Sequence, residues 1–299
     1  MTRERLLVLL RVAVWVLVGA CVLVFARRLD WNQVSHAFQG VDLGLALLAV
    51  VVCVPCTALQ GLRWASLVRG IRRVPRSTPV ATIYVGQAAS AFLPMRAGEA
   101  VRTELLARAT GIARATALGT VALDHSVNGV VMFAFAALLP ALLPVPRWMA
   151  VVVWLGMIGA VTLVLTFLWL AKHPESLPSG RIANAVARAP ALAWSLEIVV
   201  TMLALAAFHL PHGLPQAMGV IFGVNLALAI PSPPASLGNF ELGAGTALVA
   251  LGGDPGHAAA FAIGLHAVQL LPTLVMGGLM ATNFRKPVPA MPPAGAQEA

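Results

Sequence analysis

The sequence predicts an all-α integral membrane protein with about six full transmembrane helices. Two oppositely oriented re-entrant helical hairpins complete an inverted repeat. Three observations predict this class. The 299 residues are 59% hydrophobic and only 10% charged, a balance that excludes a soluble globular domain. Basic loops alternate with apolar runs, which sets the side of the membrane each loop occupies. Two further apolar runs, residues 80–99 (VATIYVGQAASAFLPMRAGE) and 219–241 (GVIFGVNLALAIPSPPASLGNFE), are broken by proline and glycine and end on a glutamate. Each is apolar for about 15 residues, which as helix rise about 22 Å, whereas a bilayer core is about 30 Å thick and needs about 20 residues.

In chain order, hydropathy predicts full spans at 7–26, 43–62, 115–143, 148–171, 191–210 and 258–282. The first resembles a signal peptide, with Val18-Gly19-Ala20-Cys21 faintly like a cleavage site, but its apolar run continues to Phe25 and reads as a span. The loop 63–79 carries Arg63, Arg69, Arg72, Arg73 and Arg76, and residues 96–114 carry Arg96, Arg102, Arg108 and Arg114. Lys172, Arg181 and Arg188 fall in the loop 172–190, and Arg285 and Lys286 in the tail. All four stretches belong on the cytoplasmic side by the positive-inside rule.

That placement requires residues 80–94 to enter from the cytoplasm and return to it, because a full crossing would put the next arginines outside. The uncharged turn Pro211-His212-Gly213-Leu214-Pro215 then lies outside, and the segments flanking Pro231 to Pro234 enter and leave from there. Residues 43–143 and 191–282 thus share the order span, hairpin, span with opposite orientation. Residues 1–284 form a single polytopic domain, and the Pro/Ala-rich stretch 285–299 is expected to be a disordered cytoplasmic tail.

Net charge is +9. The basic residues sit in short loops, where they orient the chain and meet the anionic inner leaflet, so nucleic acid is not the expected partner. No cofactor or metal signature stands in its proper context; His209 and His212 are too few for zinc, which takes three or four ligands. Cys53-Val-Pro-Cys56 has the C-x-x-C spacing of a thiol oxidoreductase, but within an apolar span the cysteines read as small hydrophobes beside a proline.

Short, Pro/Gly-interrupted segments at matching places in two halves are how an inverted-repeat transporter shows its binding site in sequence. The breaks are marked by Pro94 and Gly98 in the first hairpin and by Pro231, Pro234 and Gly238 in the second. Irregular backbone at membrane depth survives only where protein or water covers it, so both tips are expected to line a cavity. At the first tip, Arg96, Glu99 and Arg102 surround a helix restart, and guanidinium forks beside free N–H groups suit a phosphate. At the second, Asn239 and Glu241 follow Gly238, and the carboxylate is expected to find an arginine of the first tip. Asp124, His125 and Asn128 form a polar cluster inside the span 115–143, with Asp124 and Asn128 on one face. Glu197, His266 and Gln269 read as lone polar groups that staple helices together.

GLRWASLVRG at 61–70, FLPMRAGEAVR at 92–102, ATALGTVALDHSVNG at 115–129 and PSPPASLGNFE at 231–241 together resemble the membrane domain of lysyl-phosphatidylglycerol synthases, a flippase-like family. The most specific part is Pro-x-x-x-Gly-Glu-x-x-Arg, met by Pro94, Gly98, Glu99 and Arg102. The resemblance covers about 40–282 and implies movement of a lipid between leaflets; the soluble aminoacyl-transfer domain has no counterpart in this sequence. The chain departs from the family at Asp124, His125 and Asn128, where an acid, an arginine and a second acid are usual, and at Pro234-Ala235-Ser236, where glycine is. Any difference in cargo is placed at those positions.

The expected function is therefore a lipid flippase-like transporter in the cell inner (plasma) membrane, with both termini cytoplasmic. Its partner would be a phospholipid or polyprenyl-phosphate-linked lipid with a phosphate headgroup, bound through Arg96, Glu99, Arg102, Asp124, Asn128, Asn239 and Glu241. A homo-oligomer is compatible with this reading. The alternatives are a membrane enzyme or accessory subunit of lipid or glycan assembly, with Asp124 or Glu99 as base, and, behind it, the thiol oxidoreductase.

Overall fold

A computed structural model of the protein describes residues 31–94, 97–142, 147–170, 189–230 and 233–284, together with Val16, Ala20, Leu23 and Arg27. The expected span 7–26 lies almost wholly outside the described residues. Arg96, Pro231, the basic residues of the loop 172–190 and the tail 285–299 lie outside them too.

The helices in order are α1 (Trp31–Gln39), α2 (Leu43–Ile71), α3 (Ser77–Ser90), α4 (Gly98–Thr110), α5 (Arg114–Ala136), α6 (Leu139–Leu142), α7 (Arg147–Leu170), α8 (Ala189–Ala207), α9 (Leu214–Leu228), α10 (Asn239–Ala250) and α11 (Pro255–Ala281). Local chemistry sets the boundaries. Asp42 caps α2 by accepting from Leu45 N at 3.0 Å, and Asp254 caps α11 by accepting from His257 N at 3.0 Å. Gly111, at φ 69, takes the left-handed conformation that ends α4.

Two expected boundaries are corrected. The span 43–62 is the first part of a helix that continues to Ile71, so Arg63 lies in α2 and is buried rather than in a loop. Residues 57–71 keep apolar side chains at helical spacing, and the helix stops only where Arg72 turns extended ahead of Pro75. The span 115–143 ends at Ala136 and restarts as the short α6. Pro140 supplies the reason, since it has no N–H to bond the carbonyl of Ala136.

Among the described residues, three runs are long and apolar enough to cross a membrane: Leu43–Ile71, Arg114–Ala136 and Pro255–Phe284. Shorter apolar helices cover Ala150–Thr166, Leu192–Ala207 and Leu214–Leu228. Large apolar side chains line the outside at helical spacing: Leu43, Leu47 and Val51 on α2, and Leu271, Val275 and Leu279 on α11, all more than half exposed. Water would not tolerate such stripes over so many turns, whereas lipid tails match them.

The order helix, helical hairpin, helix occurs twice, as α2, α3–α4, α5 and as α8, α9–α10, α11. The two opening helices, α2 and α8, pack on each other, and α11 crosses to pack on α3. Each hairpin closes on a pair of glycines. A Cβ on Gly86 would lie 2.9 Å from the Gly98 carbonyl oxygen, and one on Gly98 would overlap the Gly86 carbonyl and Ser90 Oγ. In the second hairpin a Cβ on Gly223 would meet the Gly243 carbonyl at 2.6 Å, and one on Gly243 would meet the Gly223 carbonyl at 2.6 Å. Backbone touches backbone in both places, which only glycine permits.

Two cores flank these hairpins. Trp64, Leu67 and Val68 of α2 pack with Leu106 of α4 and Leu123 and Val127 of α5. The larger core gathers Leu205, Phe208, Val220, Phe222, Phe240 and Phe261 from the second half.

At the cytoplasmic end predicted for α4 and α5, Glu104 clamps two arginines: Arg114 Nε and Arg108 Nε each donate to it at 2.6 Å. The hydrogen bonds from Arg114, then those from Arg108, hold the Glu104 carboxyl at about 2, below its ordinary 4.5. Because the folded value is depressed, the clamp contributes above pH 4.5 and is lost as pH falls through about 2. Thermal melts in detergent should show a slightly steeper acid loss for wild type than for Glu104→Gln; the difference is small because both arginines are solvent-exposed.

Candidate functional site

A cavity of about 330 Å3 opens between the two breaks. Ser90 and Ala91 line it from the first, and Ala235 and Ser236 from the second. Its polar wall comes from Glu99, His125 and Asn128 in one half and from Glu197, His266 and Gln269 in the other. In a bundle of apolar helices, this is a concentration of groups that lipid would not tolerate on the outside.

Beneath the first break lies a buried ion cluster. Asp124 on α5 accepts from Arg63 Nε at 2.8 Å and from Arg102 Nη2 at 3.0 Å, and all three side chains are under 5% exposed. Arg63 Nη1 also donates to Asn128 Oδ1 at 2.7 Å, and Arg102 Nη1 donates to Glu99 at 3.3 Å. The guanidinium of Arg102 stacks on Trp64, its Cζ 3.7 Å from the ring, and Trp64 Nε1 donates to Thr120 at 3.1 Å. Two arginines and two carboxylates sum to zero charge, which is what allows Arg63, Arg102 and Asp124 to stay buried with Glu99 at their rim.

The cluster leaves Glu99 at the cavity edge. Its second oxygen, Oε1, lies 3.3 Å from Nε2 of His125, and its side chain is 32% exposed. Arg102 is different: its fork is engaged by Asp124 and Glu99, so the arginine expected to bind a phosphate faces the cluster. Arg63 was expected in a loop, and the structure makes it the second cation on Asp124.

The second break is built differently. Glu241, in the first turn of α10, accepts from Gly238 N at 2.7 Å and so closes that helix's N-terminus. Its other oxygen meets Nδ1 of His266 on α11 at 2.6 Å, and Phe240 stacks on that imidazole with ring centres 4.4 Å apart. Among the described residues Glu241 therefore pairs with His266 and not with the expected first-tip arginine, because α10 packs on α11 while Arg63 and Arg102 turn to Asp124. Asn239 donates to the carbonyls of Ala227 and Ile230 at 3.3 Å and ties the break to the end of α9. Ala235 and Ser236 have φ of 56 and 58, in the left-handed region that costs a residue with a Cβ about 1–2 kcal/mol. At both positions this chain holds a strained backbone against the cavity wall.

Glu197, His266 and Gln269 staple helices as expected, Gln269 to Glu197 and His266 to Glu241, and all three also face the cavity. Gln269 Nε2 donates to Glu197 Oε1 at 2.6 Å, and the thiol of Cys56 lies 3.3 Å from Oε2. Cys53 and Cys56 are both buried as free thiols, and Cys56 belongs to this contact. A signal for these residues was present in the sequence. Cys53, Cys56, Thr57, Gln60 and Arg63 recur every three or four positions along α2, and His266, Gln269 and Thr273 do so along α11. A polar stripe on an apolar helix marks the face that looks inward.

A sequence model described as the lysylphosphatidylglycerol synthase TM region matches residues 8–277. The chain belongs to this family. No curated protein and no solved structure matches it. As a member of the lysylphosphatidylglycerol synthase TM-region family it is a membrane-type helical protein, and both hairpins, with every cavity residue named above, lie within the matched range.

Proposed function

We propose that this protein moves a phospholipid or polyprenyl-phosphate-linked lipid between the leaflets of the plasma membrane, with the headgroup passing through the cavity between the two breaks. The observation that carries the proposal is that cavity: about 330 Å3, lined by polar and apolar groups in similar measure, reached from both hairpin tips, inside a bundle whose exterior is apolar. Its size is that of a small-molecule site, enough for a headgroup with the acyl or prenyl chains left among the helices.

In this account the two hairpins enter from opposite sides, the halves 43–143 and 191–282 form an inverted repeat, and both termini are cytoplasmic. Transport proceeds by one half rocking against the other around the site. Arg96, just ahead of the α4 N-terminus, meets the phosphate. Glu99 faces the headgroup, and Arg102 and Asp124 act through Glu99 by fixing its position. Asn128 lines the path; Glu241 and Asn239 hold the second break in shape and keep His266 aimed at the cavity.

Reconstituted into proteoliposomes carrying several leaflet-labelled lipids, wild type is expected to exchange at least one of them. Arg96→Ala and Glu241→Ala should each slow that exchange by about tenfold, the effect of about 1.4 kcal/mol on a barrier. Unchanged exchange in both variants would remove the two-tip site. Turnover of an added lipid or glycan donor by the purified protein would instead favour a membrane enzyme.

A further inference from the structure

The contact at Glu197 has a feature that the lipid site does not use. Glu197 stands where α2, α8 and α11 meet, in the wall of the cavity. Among the described residues no basic side chain forms an ion pair with it. The neighbouring carboxylates differ: Glu99, also in the cavity wall, has Arg102 and His125, and Glu241, buried behind His266, has that imidazole. A carboxylate inside an apolar bundle without a cationic partner must itself take up a cation, and the smallest is a proton.

The hydrogen bonds around Glu197 accommodate that proton without moving a heavy atom. Cys56 Sγ lies 3.3 Å from Glu197 Oε2 and 3.5 Å from the carbonyl oxygen of Ala193. A thiol has one hydrogen, so it donates to one of these oxygens at a time. With Glu197 ionised, the S–H donates to Oε2. With Glu197 protonated, the new O–H donates to Sγ, and the S–H turns to the Ala193 carbonyl. Gln269 donates to Oε1 in both states. Each protonation state is satisfied, which a fixed charge or a simple staple would not need.

We propose that Glu197 is a proton-carrying site, loaded from water in the cavity and emptied to it, which couples movement of the cargo to movement of H⁺ across the membrane. The proposal rests on the transport reading. The proton passes between a cavity water and Oε2 with no other bond made or broken. Other titratable groups near this path are Cys53 and Cys56 on α2, His266 on α11, Glu241 on α10, Glu99 on α4, and Asp124 and His125 on α5.

The test measures lipid exchange in proteoliposomes of full-length protein with and without an imposed pH gradient, at equal membrane potential and in sodium-free buffer. The ratio of the two rates is expected to differ from one by several-fold in wild type and to fall to one in Glu197→Gln. A ratio of one in wild type, a ratio retained by Glu197→Gln, or a requirement for sodium would overturn the proposal. A second readout does not depend on transport: infrared difference spectra of the detergent-solubilised protein across a pH titration. Wild type should show a protonated-carboxyl band that Glu197→Gln lacks and whose midpoint Cys56→Ala shifts. Absence of such a band, or one indifferent to both substitutions, would overturn it as well. Should wild type exchange no lipid while the band behaves as expected, the transport reading fails and the proton site stands.

Discussion

Asp124→Ala is expected to lower stability by about 3–5 kcal/mol, the usual cost of removing one partner from a buried ion cluster. The substitution strands two arginines that are each under 5% exposed, and only Glu99 would remain as a counter-charge for Arg102. Arg63 would keep only its bond to Asn128. Asp124→Asn, which keeps the shape and loses the charge, should fall close to the alanine variant if charge balance dominates, and close to wild type if hydrogen bonding does. Thermal melting of the detergent-solubilised protein distinguishes them. The same change should release Glu99 from its fixed place, so any variant that folds is expected to lose lipid exchange as well.

Gly98→Ala carries the second large effect. The added methyl would have to occupy the space of the Gly86 carbonyl and Ser90 Oγ, so the arms of the first hairpin must part. Overpacking of this kind costs about 1–3 kcal/mol, and here the yielding partner is mostly backbone. Gly119→Ala in α5 is the control, because no atom lies within 4 Å of its added methyl. That variant should be neutral or stabilised by up to about 1 kcal/mol through helix propensity. Equal melting temperatures for the two variants would show that the hairpin is not closed at this glycine pair.

Much of this arrangement is legible in the sequence, for reasons that can be stated residue by residue. The first break follows from Pro94 and the restart at Gly98, and the second from Gly238 ahead of α10, because proline and glycine act on the backbone locally. The polar pair Asp124 and Asn128 is readable because helical spacing alone puts both on one face, and both indeed meet Arg63. What fails to show is partnership across the bundle. Arg63 looks like a loop cation because hydropathy drops after residue 62, yet the helix continues and carries the guanidinium inward to a carboxylate 61 positions away. Glu241 shows the same limit: its charge calls for a partner, and among the described residues helix packing supplies His266 from its own half. Glu197 and Gln269 are 72 positions apart, and each is ambiguous until α8 and α11 are seen together.

The central claim is that a lipid headgroup passes between the two breaks, and blocking that space tests it most directly. Ala91 lines the cavity at the end of α3, and Ala91→Trp would fill much of the path without removing a side-chain hydrogen bond. The decisive measurement is leaflet exchange in proteoliposomes, run on Ala91→Trp protein whose melting temperature matches wild type. The account predicts that exchange falls to the protein-free rate, whereas exchange at the wild-type rate through a filled cavity would contradict it.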